Sequence, residues 1–278
     1  MLRQVLLPAD VGAAVSTLAG DPAAALLAGG TLVMPAVNTT VTPIETLVST
    51  RDLGLAAIAV ERGVARVGAA TTLTALGAHP DLGFLRPTVA SFASPIIRNL
   101  ATVGGNVAHA DPANDHPAVM LALRAEVVAT GPDGERTIPV DDFFVDTFTT
   151  SLQPDEVLTE IRIPHHRSGG RGAYTKLERK VGDFAIAAVA AQLTIREGTI
   201  VEAGVAFTNV GPSPVRAVAT EAALVGKPAT PATFAAAAEV AAGECDPASD
   251  LRGPADYKRS VVRTLTERTL AKAAERAG

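Results

Sequence analysis

The chain of 278 residues has no tryptophan and a single cysteine, Cys245. One thiol forms no internal disulfide, and it does not by itself build a cysteine-ligated iron–sulfur or zinc centre. Any metal redox centre that works with this chain therefore belongs to another chain. Aromatic residues make up only 4% of the sequence, so a core has to be filled by Ala, Val and Leu. Basic runs are missing too: no Lys/Arg run exceeds two residues, the net charge is -5 and the pI is near 5.6. No field draws a phosphate backbone, and nucleic acid is excluded as a partner. The longest apolar run after the N-terminal region, Ala185 to Ala191, falls far short of the roughly 18 residues that span a bilayer. Near the N-terminus Asp10 interrupts the apolar character before a signal-like core is built. These features read as a soluble, cytoplasmic chain. Also missing are G-x-G-x-x-G and G-x-x-x-x-G-K-[ST], so neither a Rossmann dinucleotide site nor a P-loop is supported.

What is present is globular: 47% hydrophobic and 19% charged residues, with no low-complexity tract and no internal repeat. The length exceeds the usual domain size of about 100–150 residues, so two or three folded units are expected. "QVLLPAD" reads as a strand and "VGAAVSTLAG" as a helix, while "AALLAGGTLVMPAVN" reads as a buried strand, a glycine turn and a short element. "LAAIAVERGVARVGAATTL" reads as two strands around an Arg-Gly turn, and "EVVATGPDGERTIPVDDFF" as a second hairpin. Helical signals cover Leu73 to Ala78, Leu82 to Phe92 and Pro117 to Leu123, the last with Asp115 as N-cap. "EVLTEIRIP" is a strand stopped by Pro164, and the following "HHRSGG", with His165 and His166 read as solvated, marks a domain boundary. Beyond it come strands and turns, two Ala-rich helices and a charged helix from Ala255 to Arg276. This order of elements predicts an α+β fold with helices packed at one side of mixed sheets.

Two glycine loops share a design. "LLAGGT" (Leu26 to Thr31) and "TVGGN" (Thr102 to Asn106) each read as an apolar strand, a Gly-Gly turn and a small polar residue. Paired glycines permit close backbone approach and leave N–H groups aimed at one spot, as a phosphate oxygen requires. Either loop alone is a plain turn; two together fit the two phosphates of a dinucleotide. In "HADPANDHP", Asp111 and Asp115 with His109 and His116 are also open to a divalent ion. Turn and N-cap chemistry accounts for the same residues, as does a buried Asp115 accepting hydrogen bonds from a ribose or an adenine.

"LLAGGTLVMP", "IRNLATVGGNVAHADPANDHPAVMLAL", "EVLTEIRIP" and "GAYTKLERKVGDFAIAAVA", continued by "FTNVGPSPVRA" and "DLRGPADYKRSVVRTLTERTL", together resemble a known family. It is the FAD-binding medium subunit of molybdenum hydroxylases (the xanthine dehydrogenase family), and the likeness is strongest to its aerobic carbon monoxide dehydrogenase branch. The resemblance implies a two-subdomain FAD-binding fold of the vanillyl-alcohol-oxidase type, 1–54 and 55–166, followed by a C-terminal α/β domain, 167–278. It implies FAD as cofactor and no metal in this chain. Ala28, Gly29, Gly30, Thr31 and Leu32 would hold the pyrophosphate through backbone N–H groups, and Thr102, Gly104, Gly105 and Asn106 would meet it from the other side. Asp115 matches an acidic residue that contacts FAD, Phe92 an apolar contact, and Leu158 and Lys176 positions lining the flavin ring. A cation at Lys176 would favour negative charge on the reduced ring and raise its potential.

Two departures stand out: Leu32 replaces a common acidic or polar residue, and "AVNTTV" replaces a segment that is often basic. The implied partners are an iron–sulfur small subunit and a molybdenum-cofactor large subunit, as a dimer of heterotrimers, with a membrane electron acceptor among the implied contacts. Electrons would pass from the iron–sulfur clusters to FAD and on to quinone, NAD or oxygen, so no general base is expected here. One alternative is a stand-alone flavin oxidoreductase on the same fold, with Tyr174 as its acid or base. Another is a non-redox nucleotide-binding or scaffolding protein in which both glycine loops are plain turns.

Overall fold

The computed structural model describes residues 2–39, 43–83, 85–164 and 171–276. The first unit is a three-stranded parallel sheet of β1 (Gln4–Leu6), β2 (Ala24–Leu27) and β3 (Thr46–Ser49), in the order β1-β3-β2. Its helix α1 (Val11–Gly20) begins where Asp10 accepts a hydrogen bond from the Ala13 N–H, so the aspartate that breaks the apolar N-terminus is a helix cap. A short helix, α2 (Val33–Thr39), follows the first glycine loop.

The second unit is a five-stranded antiparallel sheet of β4 (Ile58–Glu61), β5 (Val64–Gly68), β6 (Glu126–Gly131), β7 (Gly134–Pro139) and β10 (Val157–Pro164). Its order is β4-β5-β10-β6-β7, with a two-stranded ribbon of β8 (Phe144–Asp146) and β9 (Thr149–Thr150) beside it. Both hairpins expected from the sequence form. Arg62 (φ 49°) and Gly63 (φ 80°) make the two-residue turn between β4 and β5, where both central positions need positive φ.

Helix α3 (Leu73–Ala78) forms where expected, capped by the Thr72 hydroxyl, but the helices of this unit depart from expectation in two other places. The span Leu82 to Phe92 divides into a 3₁₀ turn, Pro80–Leu82, and α4 (Leu85–Ala90), and Phe92 lies beyond the helix. Pro87 allows this: proline is tolerated in a first helical turn but breaks an interior one. The second glycine loop is not entered by a strand, because helix α5 (Pro95–Leu100) precedes it. Thr102 caps the short helix α6 (Val103–Ala108), so the glycines form a first helical turn.

Helix α7 (Asp115–Leu123) is buried along its whole length. It lies between the second unit and a four-stranded antiparallel sheet, β11 (Arg171–Leu177), β12 (Ala187–Arg196), β13 (Thr199–Thr208) and β14 (Val215–Arg216). An apolar surface on every side suits that place. The N-cap is Asn114 rather than Asp115, and Asp115 is the first helical residue, which frees its carboxylate for other partners. Helices α8 (Val218–Leu224), α9 (Pro231–Gly243) and α10 (Ala255–Glu275) complete the C-terminal unit. Ala190 and Ala206 of its sheet share the hydrophobic core of the second unit. Glu221, buried on α8, binds Arg124 at 2.6 Å and Arg216 at 3.0 Å and accepts the Val205 N–H. The boundary segment with His165 and His166 lies outside the described residues. No helix among the described residues is long and apolar enough to cross a membrane.

Candidate functional site

Two adjoining clefts meet at the first glycine loop, the larger between the first and second units and the smaller bounded by the C-terminal unit as well. The larger, about 440 Å³, is lined by Ala28 to Val33 on one side and by Thr102, Gly104, Gly105 and Asn106 on the other, with Leu158 and Glu156 at one end. The smaller, about 270 Å³, is walled by Phe92, Asn114, Asp115 and Asp183. Thr31, Leu32, Ala101, Asn106 and His109 border both. Cavities of a few hundred Å³ lined mostly by apolar groups with a few converging polar ones are typical of small-molecule sites.

Glycine is required in both loops for packing, a cause distinct from the ligand approach expected from sequence. A Cβ on Gly29 would stand 2.0 Å from the carbonyl oxygen of Leu100, and one on Gly104 2.5 Å from the Ala69 Cβ. Gly29 thus lets the first loop touch the segment that leads into the second.

The main-chain donors of the two loops differ. Among the described residues, the N–H groups of Gly29, Gly30, Thr31 and Leu32 have no acceptor. In the second loop the four N–H groups after Thr102 are engaged: Val103 donates to Thr71, Gly104 to Ala69, Gly105 to the Thr102 hydroxyl and Asn106 to the Thr102 carbonyl. The expectation that both loops offer N–H groups to a phosphate is therefore corrected. The first offers a row of four, while the second contributes a thin glycine wall and the polar side chains of Thr102 and Asn106, with its two glycine N–H groups turned inward.

The deeper wall is a network of charges. Asp115 accepts from the Tyr174 hydroxyl at 2.5 Å through Oδ1 and from Lys176 Nζ at 3.0 Å through Oδ2. Lys176, with a side chain 3% exposed, also donates to the Asp183 carbonyl at 3.0 Å and pairs with Glu178 Oε2 at 2.9 Å. Burial pushes the Asp115 carboxyl up to about 6, against the opposing pull of Lys176 and the Tyr174 hydrogen bond. Burial and the Asp115 charge hold the Tyr174 phenol well above its usual value, so it stays a donor. Phe92 stands edge-on to Tyr174 with ring centroids 5.5 Å apart, and its other neighbour is His116 at 5.8 Å. His116 is fully buried with neither ring nitrogen bonded, and burial pulls it down to about 4. Arg98 donates to the carbonyls of Phe92 and Ala93, holding a turn in which Ala93 has φ 41°.

The comparisons with known proteins agree along the chain. Residues 2–166 match the family described as FAD binding domain in molybdopterin dehydrogenase, and residues 172–273 the CO dehydrogenase flavoprotein C-terminal domain. The chain belongs to the molybdenum-hydroxylase flavoprotein family. It is 38% identical to the carbon monoxide dehydrogenase medium chain of Hydrogenophaga pseudoflava over 269 residues, covering 95% of this chain and 94% of that one. It is 35% identical to the 6-hydroxypseudooxynicotine dehydrogenase complex subunit alpha of Paenarthrobacter nicotinovorans, over 93% of this chain and 89% of that one. The solved carbon monoxide dehydrogenase of H. pseudoflava that lacks the Mo-pyranopterin moiety superimposes with a TM-score of 0.96, covering 100% of this chain and 99% of that one. As a member of this family the chain is an FAD-binding oxidoreductase subunit with the α+β flavoprotein fold.

Of the family-matched positions, Ala28 to Leu32, Thr102, Gly104, Gly105, Asn106 and Leu158 line the larger cleft, and Phe92 and Asp115 the smaller. Lys176 lines neither of these two clefts; it lies behind Asp115, its charge met by two carboxylates. Sequence reasoning missed Asn114, whose side chain donates to the Asn106 carbonyl and Oδ1, tying one cleft wall to the other. It also missed His109 as a wall residue: burial holds its imidazole below the usual value, with Asp111 at 4.0 Å opposing. Cys245 is buried in the C-terminal unit, away from both clefts. Among the described residues no group of three or more His, Cys, Asp or Glu is arranged to hold a metal ion. The open N–H row in the larger cleft fits the FAD pyrophosphate without a cationic side chain.

Proposed function

We propose that this chain is the flavoprotein electron-transfer subunit of a three-part, cytoplasmic molybdenum hydroxylase, assembled as a dimer of heterotrimers. The observation that carries the reading is the row of open N–H groups from Gly29 to Leu32 facing Thr102, Gly104, Gly105 and Asn106 across the larger cleft. Four main-chain donors neutralise a bridging pyrophosphate as a nest does. Bound FAD supplies the exchange between paired and single electrons that links iron–sulfur clusters to a two-electron acceptor.

The residues of this chain bind, orient and shield. Phe92 and Leu158 give apolar walls for the ring and its tail. Asp115 presents a hydrogen-bonding carboxylate, and Lys176 acts on the ring at one remove through Asp115. Substrate oxidation takes place in the large partner and the iron–sulfur clusters sit in the small one, in keeping with the single cysteine here. Electrons leave the chain for an external acceptor such as quinone, NAD or oxygen.

The test is to tag the chain in its host and quantify FAD, iron and molybdenum per tagged chain. FAD with both metals and two further polypeptides is the expected result. FAD on an isolated chain would instead favour a stand-alone flavin oxidoreductase, and a colourless protein that ignores FAD would overturn the reading.

A further inference from the structure

The Asp115 side chain faces two ways. One oxygen is fixed by the Tyr174 hydroxyl, and the other is left to Lys176 Nζ, 3.0 Å away. The same Nζ lies 2.9 Å from Glu178 Oε2, a buried oxygen that forms a close ion pair with it but no aligned hydrogen bond, so a small turn of the ammonium group brings a proton into line. Tyr174 and Lys176 alternate along one face of β11, and Glu178 follows one residue beyond its end. Exposure rises along this row, from 3% for the Lys176 side chain to 21% for that of Glu178, while Asp115 forms part of the smaller cleft's wall. The row therefore leads from the cleft to solvent behind the wall. Among the described residues no other charged side chain is hydrogen-bonded to Asp115: Asn114 turns to Asn106, Asp183 contributes only its carbonyl to this network, and His116 is buried in the core.

We propose that Asp115, Lys176 and Glu178 form a proton path between solvent and the cofactor cleft, with Tyr174 as the positioning residue that turns Asp115 towards Lys176. This rests on the flavoprotein reading above. Reducing FAD takes electrons from the partner's iron–sulfur clusters and protons from water. In one passage the Asp115 carboxylic acid gives its proton to the cleft. Its carboxylate then takes one from Lys176 Nζ, the Glu178 carboxylate takes one from solvent, and Glu178 passes that proton to the neutral Lys176 amine. Only O–H and N–H bonds break and form, and the three side chains end as they began. FAD held in the cleft would shield Asp115 from solvent on that side, leaving the rear route to set the rate. With Asp115 poised near pH 6, both of its protonation states are reached close to neutrality.

The experiment uses the FAD-loaded, oxidised complex without turnover. After a rapid pH drop, the carbonyl stretch of protonated Asp115 is followed by infrared spectroscopy, the band being assigned by its loss in Asp115→Asn. Glu178→Gln is expected to slow the rise of this band by at least about tenfold at unchanged final amplitude, with added formate restoring the rate. Glu178→Asp, which keeps the carboxylate, is expected to retain most of it. Wild-type kinetics in Glu178→Gln would overturn the path, and so would a slow rise that formate does not rescue. FAD content is measured first: its absence would sink the flavoprotein reading and the path together, whereas bound FAD with unchanged kinetics sinks the path alone.

Discussion

Gly29 rests on the main chain of Leu100, so closely that a methyl group on its Cα would lie 2.0 Å from the Leu100 carbonyl oxygen. That contact sets the distance between the first and second units at the cleft. Gly29→Ala forces backbone apart rather than a side chain aside, and overpacking of this kind costs about 3 kcal/mol. Thermal denaturation is expected to show a fall of about 6–12 °C, together with loss of copurified FAD. Gly243→Ala, where nothing lies within 4 Å, is the control and should leave melting unchanged or slightly raised. A Gly29→Ala protein that melts like wild type would show that the loops are free to move apart.

Asp115 and His116 oppose each other in acid. The Asp115 carboxyl is raised from 3.8 to about 6, so the folded state holds the extra proton between those values, and stability falls as pH rises through this window. His116 is lowered from 6.5 to about 4, so its contribution is lost as pH falls through that window. Each shift spans about two pKa units, about 3 kcal/mol at most, and the two slopes nearly cancel. Urea midpoints of the wild type are expected to be almost flat from pH 4 to 6.5. Asp115→Asn should unmask a rise in stability with pH over that range, and His116→Leu a decline. Parallel curves for the two variants would refute both assignments.

How much of this was legible in the sequence depends on the distance over which each feature is determined. The Arg62–Gly63 hairpin is written in two adjacent residues and could be read directly. The first glycine loop could be read for the same reason, since turn chemistry is local. The second misled, because Thr-Val-Gly-Gly-Asn suits a turn as well as a capped helix. Its choice was made by Thr71 and Ala69, which take the N–H groups of Val103 and Gly104. The screening of Lys176 depends on Asp115 from another unit, and no periodicity within β11 announces that. Asn114 offered only its residue type, an amide beside a buried helix.

Glu221 is the hinge pin between the second and C-terminal units. Glu221→Ala would leave the Arg124 and Arg216 guanidinium groups short of a partner and the Val205 N–H without its acceptor. Breaking a buried pair from one side costs about 3 kcal/mol or more. The urea midpoint should drop accordingly, and a change below about 1 kcal/mol would mean that Asp141, 2.7 Å from Arg216, takes over.

Cys245 should be silent in the folded protein. Burial pushes its thiol up to about 12, and the sulfur donates to the Ala241 carbonyl at 3.3 Å. An aromatic disulfide reagent is expected to leave the native protein unlabelled at neutral pH and to titrate one thiol in denaturant. Rapid labelling of the native state would show that helix α9 opens.

The open N–H row of the first loop separates two demands on the same few residues. Any L-amino acid other than proline brings an N–H, so the hold on a pyrophosphate does not depend on which side chains occupy positions 31 and 32. Leu32, 37% exposed, borders both clefts and reaches the surface. Drift at this position therefore alters the surface beside the clefts while the N–H row stays the same. The outer edge of the cleft is thus free to vary in shape and polarity at no cost to its main-chain donors.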